Sequence, residues 1–289
     1  MFNGSFVAVV TPFDKENEVN FEKLGQLIDW HIESGTDGIV VLGTTGEAPS
    51  LSDQERVKIV QFTLKRANGR ILVIAGSGFN NTEHAVKLSK EFSDLGVDGL
   101  LIVNPYYNKG NNKGLIAHYR EIARNVKTPI ILYNVPSRTG KHIDYEVVYE
   151  LSKCDNIVAI KDASGDLNYS AKIIKNIKNF SVLSGNDDIV VPMMSIGGKG
   201  VISVAANIIP KQFSEMVHLA LRGDFEKARQ IQLEYLDLIN NLFIEVNPIP
   251  VRAAMNILGF EIGAARLPLD SLEKANELKL IEILSQFDI

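Results

Sequence analysis

Lys161 is the residue of this sequence whose setting most suggests chemistry, because it follows four apolar residues in the stretch IVAIKDASG. An unpaired ammonium is costly to bury, so such a position favours an ion pair or a neutral amine. A neutral lysine amine is a good nucleophile towards a ketone or an aldehyde and forms a Schiff base with it. The alternative is a structural lysine whose stem lies along apolar neighbours while its head pairs with Asp162 or Glu47.

Other polar side chains could act beside such an amine, and each also has a plainer interpretation. Tyr133 could transfer a proton, or could be a packed ring with a satisfied hydroxyl. Arg138, in a Pro-Ser-Arg-Thr-Gly turn, could hold a carboxylate through two N–H bonds, or form a surface ion pair. The turn at Thr44-Thr45-Gly46 could bind a second carboxylate through its N–H groups, or be a capped loop.

The elements that must position these residues follow a repeating pattern. Short apolar runs, each followed by a polar or glycine-containing loop and a helix-period segment, indicate a parallel sheet buried on both faces by helices. Eight such units in a little over 200 residues predict an α/β fold of the (β/α)8, or TIM barrel, type. The predicted strands are FVAVV from Phe6, GIVVL from Gly38, ILVIA from Ile71, GLLIV from Gly99, IILYN from Ile130, IVAIK from Ile157, FSVLS from Phe180 and GVISV from Gly200.

The strand pattern stops after Gly223, and the rest of the chain has helical periodicity. Phe225 to Val246 is predicted to be one long helix, the NPIP sequence at 247–250 to break it, and Val251 to Leu258 and Ser271 to Leu284 to be helical again. We therefore expect a catalytic barrel over residues 1–224 and a C-terminal helical extension over residues 225–289, packed on the barrel or on a neighbouring subunit.

In barrels of this type the chemistry lies at the carboxyl ends of the strands. Thr44, Tyr133, Arg138 and Lys161 all follow or end predicted strands, so they are expected to converge on one rim. Asp162 is expected to point away from Lys161, because side chains alternate along a strand. The glycine-rich GGKG at 197–200 precedes the last strand and is expected on the opposite face, which weakly favours an unphosphorylated substrate.

Composition excludes several other classes of function. Thirty basic and 35 acidic residues give a net charge of -5 without runs of like charge, which argues against nucleic acid or an anionic membrane as a partner. None of the five histidines ends a strand, so no catalytic metal is expected. The single cysteine, Cys154, cannot form an intramolecular disulfide, and no apolar stretch is long enough for a membrane span, so we expect a cytoplasmic protein.

Four motifs in order, GTTGEA from Gly43, NPYYN from Asn104, YNVPSRTG from Tyr133 and AIKDASG from Ala159, together resemble the dihydrodipicolinate synthase family of pyruvate-dependent class I aldolases. The resemblance extends over essentially the whole chain, including GVISVAAN and NPIPVRAAM. It implies an enzyme of lysine biosynthesis that condenses pyruvate with L-aspartate 4-semialdehyde, with no cofactor beyond the covalent imine between Lys161 and pyruvate.

The resemblance also implies roles for individual residues and an oligomer. Lys161 matches the Schiff-base lysine. Tyr133, Thr44 and Tyr107 match a proton relay, with Tyr107 entering from the adjacent subunit of a tight dimer, and two such dimers would form a homotetramer. The substrate-binding positions that match are Thr45 for the pyruvate carboxylate, Arg138 for the semialdehyde carboxylate, and Gly185 and Ile202 along the pocket.

Two other functions and one regulatory question remain open at this stage. Sister aldolases cleave N-acetylneuraminate or 2-keto-3-deoxygluconate and usually differ at the positions of Thr45 and Arg138, so the synthase is favoured. A catalytically silent barrel that binds a keto acid is the second alternative.

Family members inhibited by lysine tend to carry an acidic residue at the position of His84 and a histidine or glutamate at that of Arg56. We therefore expect weak or absent lysine inhibition, although Asn80 and Tyr106 still match.

Overall fold

The computed structural model of the protein describes residues 2–289, and its centre is a closed barrel of parallel strands paired in chain order from β1 to β8. Helices follow the strands and cover the outside of the barrel, so the predicted (β/α)8 fold is confirmed. The strands are β1 Gly4–Ala8, β2 Gly38–Val41, β3 Leu72–Gly76, β4 Gly99–Val103, β5 Ile130–Asn134, β6 Ile157–Asp162, β7 Ser181–Ser184 and β8 Gly200–Ser203.

Helices connect the strands and continue beyond the last one. The helices are α1 Phe21–Glu33, α2 Asp53–Ala67, α3 Thr82–Leu95, α4 Asn112–Asn125, α5 Pro136–Thr139, α6 Tyr145–Leu151, α7 Leu167–Asn176, α8 Val190–Ser195, α9 Pro210–Leu221, α10 Phe225–Glu234, α11 Leu236–Asn241, α12 Ile249–Ile257 and α13 Lys274–Leu284.

The first strand begins two residues before the predicted start at Phe6. Gly4 pairs with Gly200 of β8, where a Cβ atom on Gly200 would lie 1.9 Å from the Gly4 carbonyl oxygen. Gly200 has a φ of 143°, which glycine adopts at little cost. The strand therefore starts at a close contact between two glycines, which a search for apolar runs does not detect.

The prediction of one helix from Phe225 to Val246 is wrong. The segment is broken at Tyr235, where φ is -95° and ψ is 6°, and the second helix ends at Asn241. The two halves have different neighbours, since α10 packs on α8 and α9 whereas α11 packs on α13 and on the turn at Asp187–Ile189. Packing against different parts of the molecule thus overrides a continuous helical pattern.

Side-chain alternation divides the apolar residues into two layers. One layer fills the inside of the barrel, with Phe6, Val40, Tyr133 and Ile202 among its members. The larger layer lies between the strands and the surrounding helices. Residues on one strand therefore face either a closed interior or the helix layer, and neighbours in sequence have different surroundings.

Helix α10 is joined to the preceding part of the chain by hydrogen bonds as well as by packing on α8 and α9. Gln232 of α10, for example, donates to the backbone oxygen of Asp187 at 2.8 Å and accepts from the backbone N–H of Val191 at 3.1 Å. The division into residues 1–224 and 225–289 stays a prediction, and Met1 lies outside the described residues.

Within residues 2–289, no helix is long and apolar enough to cross a membrane. Over the same range, no group of three or more His, Cys, Asp or Glu side chains is arranged to hold a metal ion.

Candidate active site

Lys161 and Tyr133 lie side by side at the carboxyl ends of two neighbouring strands. They are paired in register between β5 and β6, and the Lys161 Nζ atom is 4.5 Å from the centroid of the Tyr133 ring. The two residues are only 5% and 7% exposed. The face of an aromatic ring attracts an ammonium group, so this contact holds the lysine head in place without pairing it to a carboxylate.

Neither carboxylate that could have paired with Lys161 does so. Asp162 faces the helix layer, as alternation predicts, and accepts hydrogen bonds from Asn134 and Ser170. Glu47 lies 2.7 Å from Arg252. The alternative of a structural lysine held by Asp162 or Glu47 is therefore wrong.

Gly185 and Ile202 border the same part of the barrel interior. The Gly185 N–H donates to the Asp162 carbonyl oxygen at 2.7 Å, and a Cβ atom on Gly185 would lie 3.0 Å from the Lys161 Cε atom. Any larger residue at 185 would push against the lysine stem. Ile202 is fully buried among the inward-facing residues.

A cavity of about 350 Å³ opens at this rim of the barrel, and three of the predicted residues, Thr44, Tyr133 and Arg138, line it. Its walls are mostly apolar. Among the other lining residues are Leu42, Gly76, Phe79, Leu101, Val103, Tyr106 and Val135. An apolar pocket with a few converging polar groups is the usual form of a small-molecule site.

Asn247 connects two of the predicted substrate-binding residues and was missed by the sequence analysis. Its side-chain amide donates to the Thr45 hydroxyl at 3.0 Å, and its backbone oxygen accepts from Arg138 Nη2 at 2.9 Å. The helical pattern predicts only a break at the NPIP segment. Its position within a motif that carries the family resemblance was the available signal.

A buried ion pair between Glu47 and Arg252 fixes the loop that follows β2. The side chains of Glu47 and Arg252 are 0% and 4% exposed, and Glu47 also accepts a hydrogen bond from the backbone N–H of Arg266 at 3.0 Å. Glu47 has a φ of 53°, an unusual value for a residue other than glycine. The ion pair thus stabilises a strained backbone conformation beside Thr44 and Thr45.

Asp187 is a second buried carboxyl group that the sequence analysis did not identify. One of its oxygens accepts from the backbone N–H groups of Val204 and Ala205, at 2.9 and 2.8 Å. Burial raises the pKa of Asp187 to about 6, although these amides, the Ser203 hydroxyl and the charge of Lys161 all act to lower it. The carboxyl therefore contributes to the electrostatic environment of the lysine and ties the loop after β7 to the loop after β8.

Tyr107 is the predicted site residue that the single chain does not bring to the others. Its side chain is 91% exposed and lies outside the cavity lining, and its backbone φ is 67°. A large aromatic side chain held outward by a strained backbone is typical of a contact with another molecule.

The profile of the dihydrodipicolinate synthetase family matches residues 1–287. The chain belongs to this family.

Relatives within the dihydrodipicolinate synthetase family match along their full length. The 4-hydroxy-tetrahydrodipicolinate synthase of a Thermoanaerobacter species is 53% identical, over 100% of this chain and 98% of the relative. The crystal structure of the Aquifex aeolicus dihydrodipicolinate synthase superimposes with a TM-score of 0.97 at 47% identity, covering 99% of this chain and 98% of the other. The crystal structure of the chloride-inhibited Acinetobacter baumannii dihydrodipicolinate synthase, complexed with pyruvate, superimposes with a TM-score of 0.97 at 42% identity, again over 99% of this chain and 98% of the other.

The buried ion pair predicts a stability effect. Arg252→Met leaves the Glu47 carboxylate buried without its cation, so the free energy of unfolding should fall by about 3–5 kcal/mol. The double variant Glu47→Gln/Arg252→Met should recover most of that loss. Urea unfolding measures both.

Lys90→Met is the matched control, because Lys90 and Asp94 form an ion pair on the surface, with side chains 60% and 67% exposed. It should change the free energy of unfolding by less than about 1 kcal/mol. Equal effects of Arg252→Met and Lys90→Met would contradict the importance given to the buried pair.

Proposed function

We propose that this protein is a Schiff-base-forming lyase that condenses pyruvate with L-aspartate 4-semialdehyde to give 4-hydroxy-tetrahydrodipicolinate. The observation that carries the proposal is the amine of Lys161, which lies in the barrel against Tyr133 and is not paired with Asp162 or Glu47. Membership of the dihydrodipicolinate synthetase family supports the choice of substrates.

The first half of the reaction builds the covalent intermediate. The neutral Lys161 amine attacks the keto carbon of pyruvate, and the carbonyl oxygen takes up a proton to give a carbinolamine. Loss of that hydroxyl as water leaves the imine. A proton then leaves the methyl carbon, and the electron pair of that C–H bond becomes the double bond of an enamine.

The second half forms the new carbon–carbon bond and releases the lysine. The enamine carbon attacks the aldehyde of the semialdehyde, whose oxygen takes a proton. The amine of the same substrate then attacks the imine carbon, closes the ring and expels the Lys161 amine. One water is lost over the whole cycle, and no cofactor is required.

Proton transfers in both halves need a positioned acid and base. We assign them to the hydroxyls of Tyr133, Thr44 and Tyr107. Thr44 and Tyr133 line the same cavity, which supports this assignment for two of the three.

Carboxylate binding is assigned to the rim. Thr45 is assigned as the backbone donor to the pyruvate carboxylate, and its hydroxyl, which accepts from Asn247, fixes the position of the residue. Arg138 uses one N–H on the Asn247 oxygen and keeps its other donors for the semialdehyde carboxylate. Gly185 and Ile202 complete the pocket around the imine.

We also propose that this reaction takes place in the cytoplasm. The lone cysteine, Cys154, is free, which agrees with a reducing compartment.

The function is tested by offering purified protein pyruvate and aspartate semialdehyde and following product formation by NMR. N-acetylneuraminate and 2-keto-3-deoxygluconate are assayed for cleavage in parallel. Because we assign Arg138 to a substrate carboxylate rather than to a polyol, kcat/KM for the condensation should exceed that for either sugar acid by roughly 100-fold or more. Lys161→Arg should have no measurable activity, whereas Lys153→Arg, a surface replacement, should retain it.

Two outcomes would contradict this proposal. Faster cleavage of either sugar acid would make the protein a sister aldolase. Binding of pyruvate without any turnover would make it a keto-acid-binding barrel.

The exposure of Tyr107 supports a second proposal, that the protein is a homo-oligomer in which Tyr107 reaches the active site of an adjacent subunit. A tight dimer, paired into a tetramer, would bury this side chain. Light scattering should give the mass of a tetramer, and Tyr107→Phe should keep that mass while lowering kcat by about 10–100-fold through loss of one proton-transfer group. A monomer with full activity would disprove the shared site.

Arg56 is the basis for a proposal about regulation by lysine. Its guanidinium lies 4.6 Å from the centre of the Phe79 ring, lines the cavity, and donates to the backbone oxygens of Leu51 and Ala48. Nearby, His84 Nε2 is 3.1 Å from Asp53 Oδ1, so this carboxylate is already engaged. A cationic effector would meet a fixed positive charge here and find no free acidic partner at position 84.

L-lysine should therefore inhibit weakly or not at all in the steady-state condensation assay. The double variant Arg56→His/His84→Glu should gain inhibition, because it replaces the fixed cation and supplies a carboxylate. An inhibition constant in the sub-millimolar range for the unmodified protein would refute the proposal.

A further inference from the structure

The residues that directly follow Tyr133 and Lys161 form a second matched pair. Asn134 and Asp162 are partners in the register of β5 and β6, one step beyond the pair of Tyr133 and Lys161, and both are fully buried. Because side chains alternate along a strand, the first pair faces the barrel interior and the second faces the helix layer. The two pairs therefore lie on opposite sides of the same stretch of barrel wall.

Asn134 and Asp162 are hydrogen-bonded to each other and to the segments around them. Asn134 Nδ2 donates to Asp162 Oδ1 at 2.9 Å, and Asn134 Oδ1 accepts from the backbone N–H of Ile143 at 3.0 Å. The other partners of the Asp162 carboxylate are the backbone N–H of Ser164 at 3.1 Å and the hydroxyls of Ser164 and Ser170 at 3.0 and 2.8 Å. The carboxylate thus joins β5, β6, the following loop and helix α7.

We propose that Asn134 and Asp162 are positioning residues that fix the ends of β5 and β6, so that the Tyr133 ring and the Lys161 amine keep their mutual geometry during imine formation. The proposal rests on the proposed function, in which Lys161 is the nucleophile. We call this pair the rear clamp. A displacement of about 1 Å can cost as much as 100-fold in rate, so a clamp at the strand ends has a direct kinetic consequence.

The residue types fit this role. Position 134 must donate to a carboxylate on one side and accept from a backbone N–H on the other, and an asparagine side chain does both. Position 162 accepts from an amide, a backbone N–H and two hydroxyls, and the two oxygens of a carboxylate accept all four bonds. Hydrogen bonds to an ionised acceptor are about twice as strong as neutral ones, so the clamp is firm although no cation contacts it.

The test uses replacements of nearly equal size. Asn134→Asp breaks the bond across the two strands because it places two carboxylates face to face, and Asp162→Leu breaks it because it removes the acceptor oxygens. The double variant Asn134→Asp/Asp162→Asn restores one donor and one acceptor in reversed order. The readout is the rate at which each folded protein forms a borohydride-trappable imine with pyruvate, with circular dichroism and urea unfolding as checks of the fold.

Each single variant should form the imine roughly 10–100-fold more slowly than the unmodified protein, and the double variant should regain most of that loss. Asn156→Asp is the matched control. Asn156 precedes β6 at the opposite end of the barrel, where its amide donates to the backbone oxygens of Ala123 and Val126 at 3.0 and 2.9 Å. This control should lower stability and leave the imine rate unchanged.

An unchanged imine rate in folded Asn134→Asp, or an equal loss of rate in Asn156→Asp, would overturn the proposal. If neither single variant folds, the imine rate of Ser170→Ala is measured instead, because this variant removes only one hydrogen bond to the Asp162 carboxylate. A slower rate supports the clamp, and an unchanged rate overturns it. If the unmodified protein forms no imine, the proposed function fails and the clamp fails with it. If the unmodified protein forms the imine and the variants form it at the same rate, only the clamp proposal fails.

Discussion

The constraint on which the site depends is the presence of a lysine head inside a closed barrel. Lys161 is 5% exposed and lies against the face of Tyr133, while the neighbouring carboxylates of Asp162 and Glu47 bond elsewhere. Burying a lysine head costs free energy, and the contact with the Tyr133 ring offsets part of that cost. The absence of a side chain at Gly185 leaves room for the lysine stem, which completes this environment.

The rest of the rim is supported from a part of the chain distant in sequence. Arg252 neutralises the buried Glu47 under the loop after β2, and Asn247 joins Thr45 to Arg138. These contacts explain why the helices beyond the last strand matter for the site. A barrel supplies the strand ends, and the C-terminal segment sets the positions of the groups assigned to the substrate carboxylates.

The sequence predicts the parts of this arrangement that local patterns encode. Apolar runs locate the strands, and the ends of β5 and β6 bring Tyr133 and Lys161 together as expected. The break at Tyr235 was not predictable, because it depends on what each half of the segment packs against. Two contacts were not predictable either. Asn247 bonds to Thr45, 202 residues away, and Glu47 pairs with the distant Arg252, and no periodicity or spacing in the sequence encodes such contacts.

The central claim is that Lys161 itself becomes bonded to pyruvate. The most direct measurement is borohydride reduction in the presence of pyruvate, followed by digestion and mass spectrometry of the peptides. The account predicts that the mass of one reduced pyruvate is added to the peptide containing Lys161 and to no other, and that Lys161→Arg gains none. Two results would contradict it: an adduct on a peptide that does not contain Lys161, or a protein that catalyses the condensation although borohydride traps no adduct.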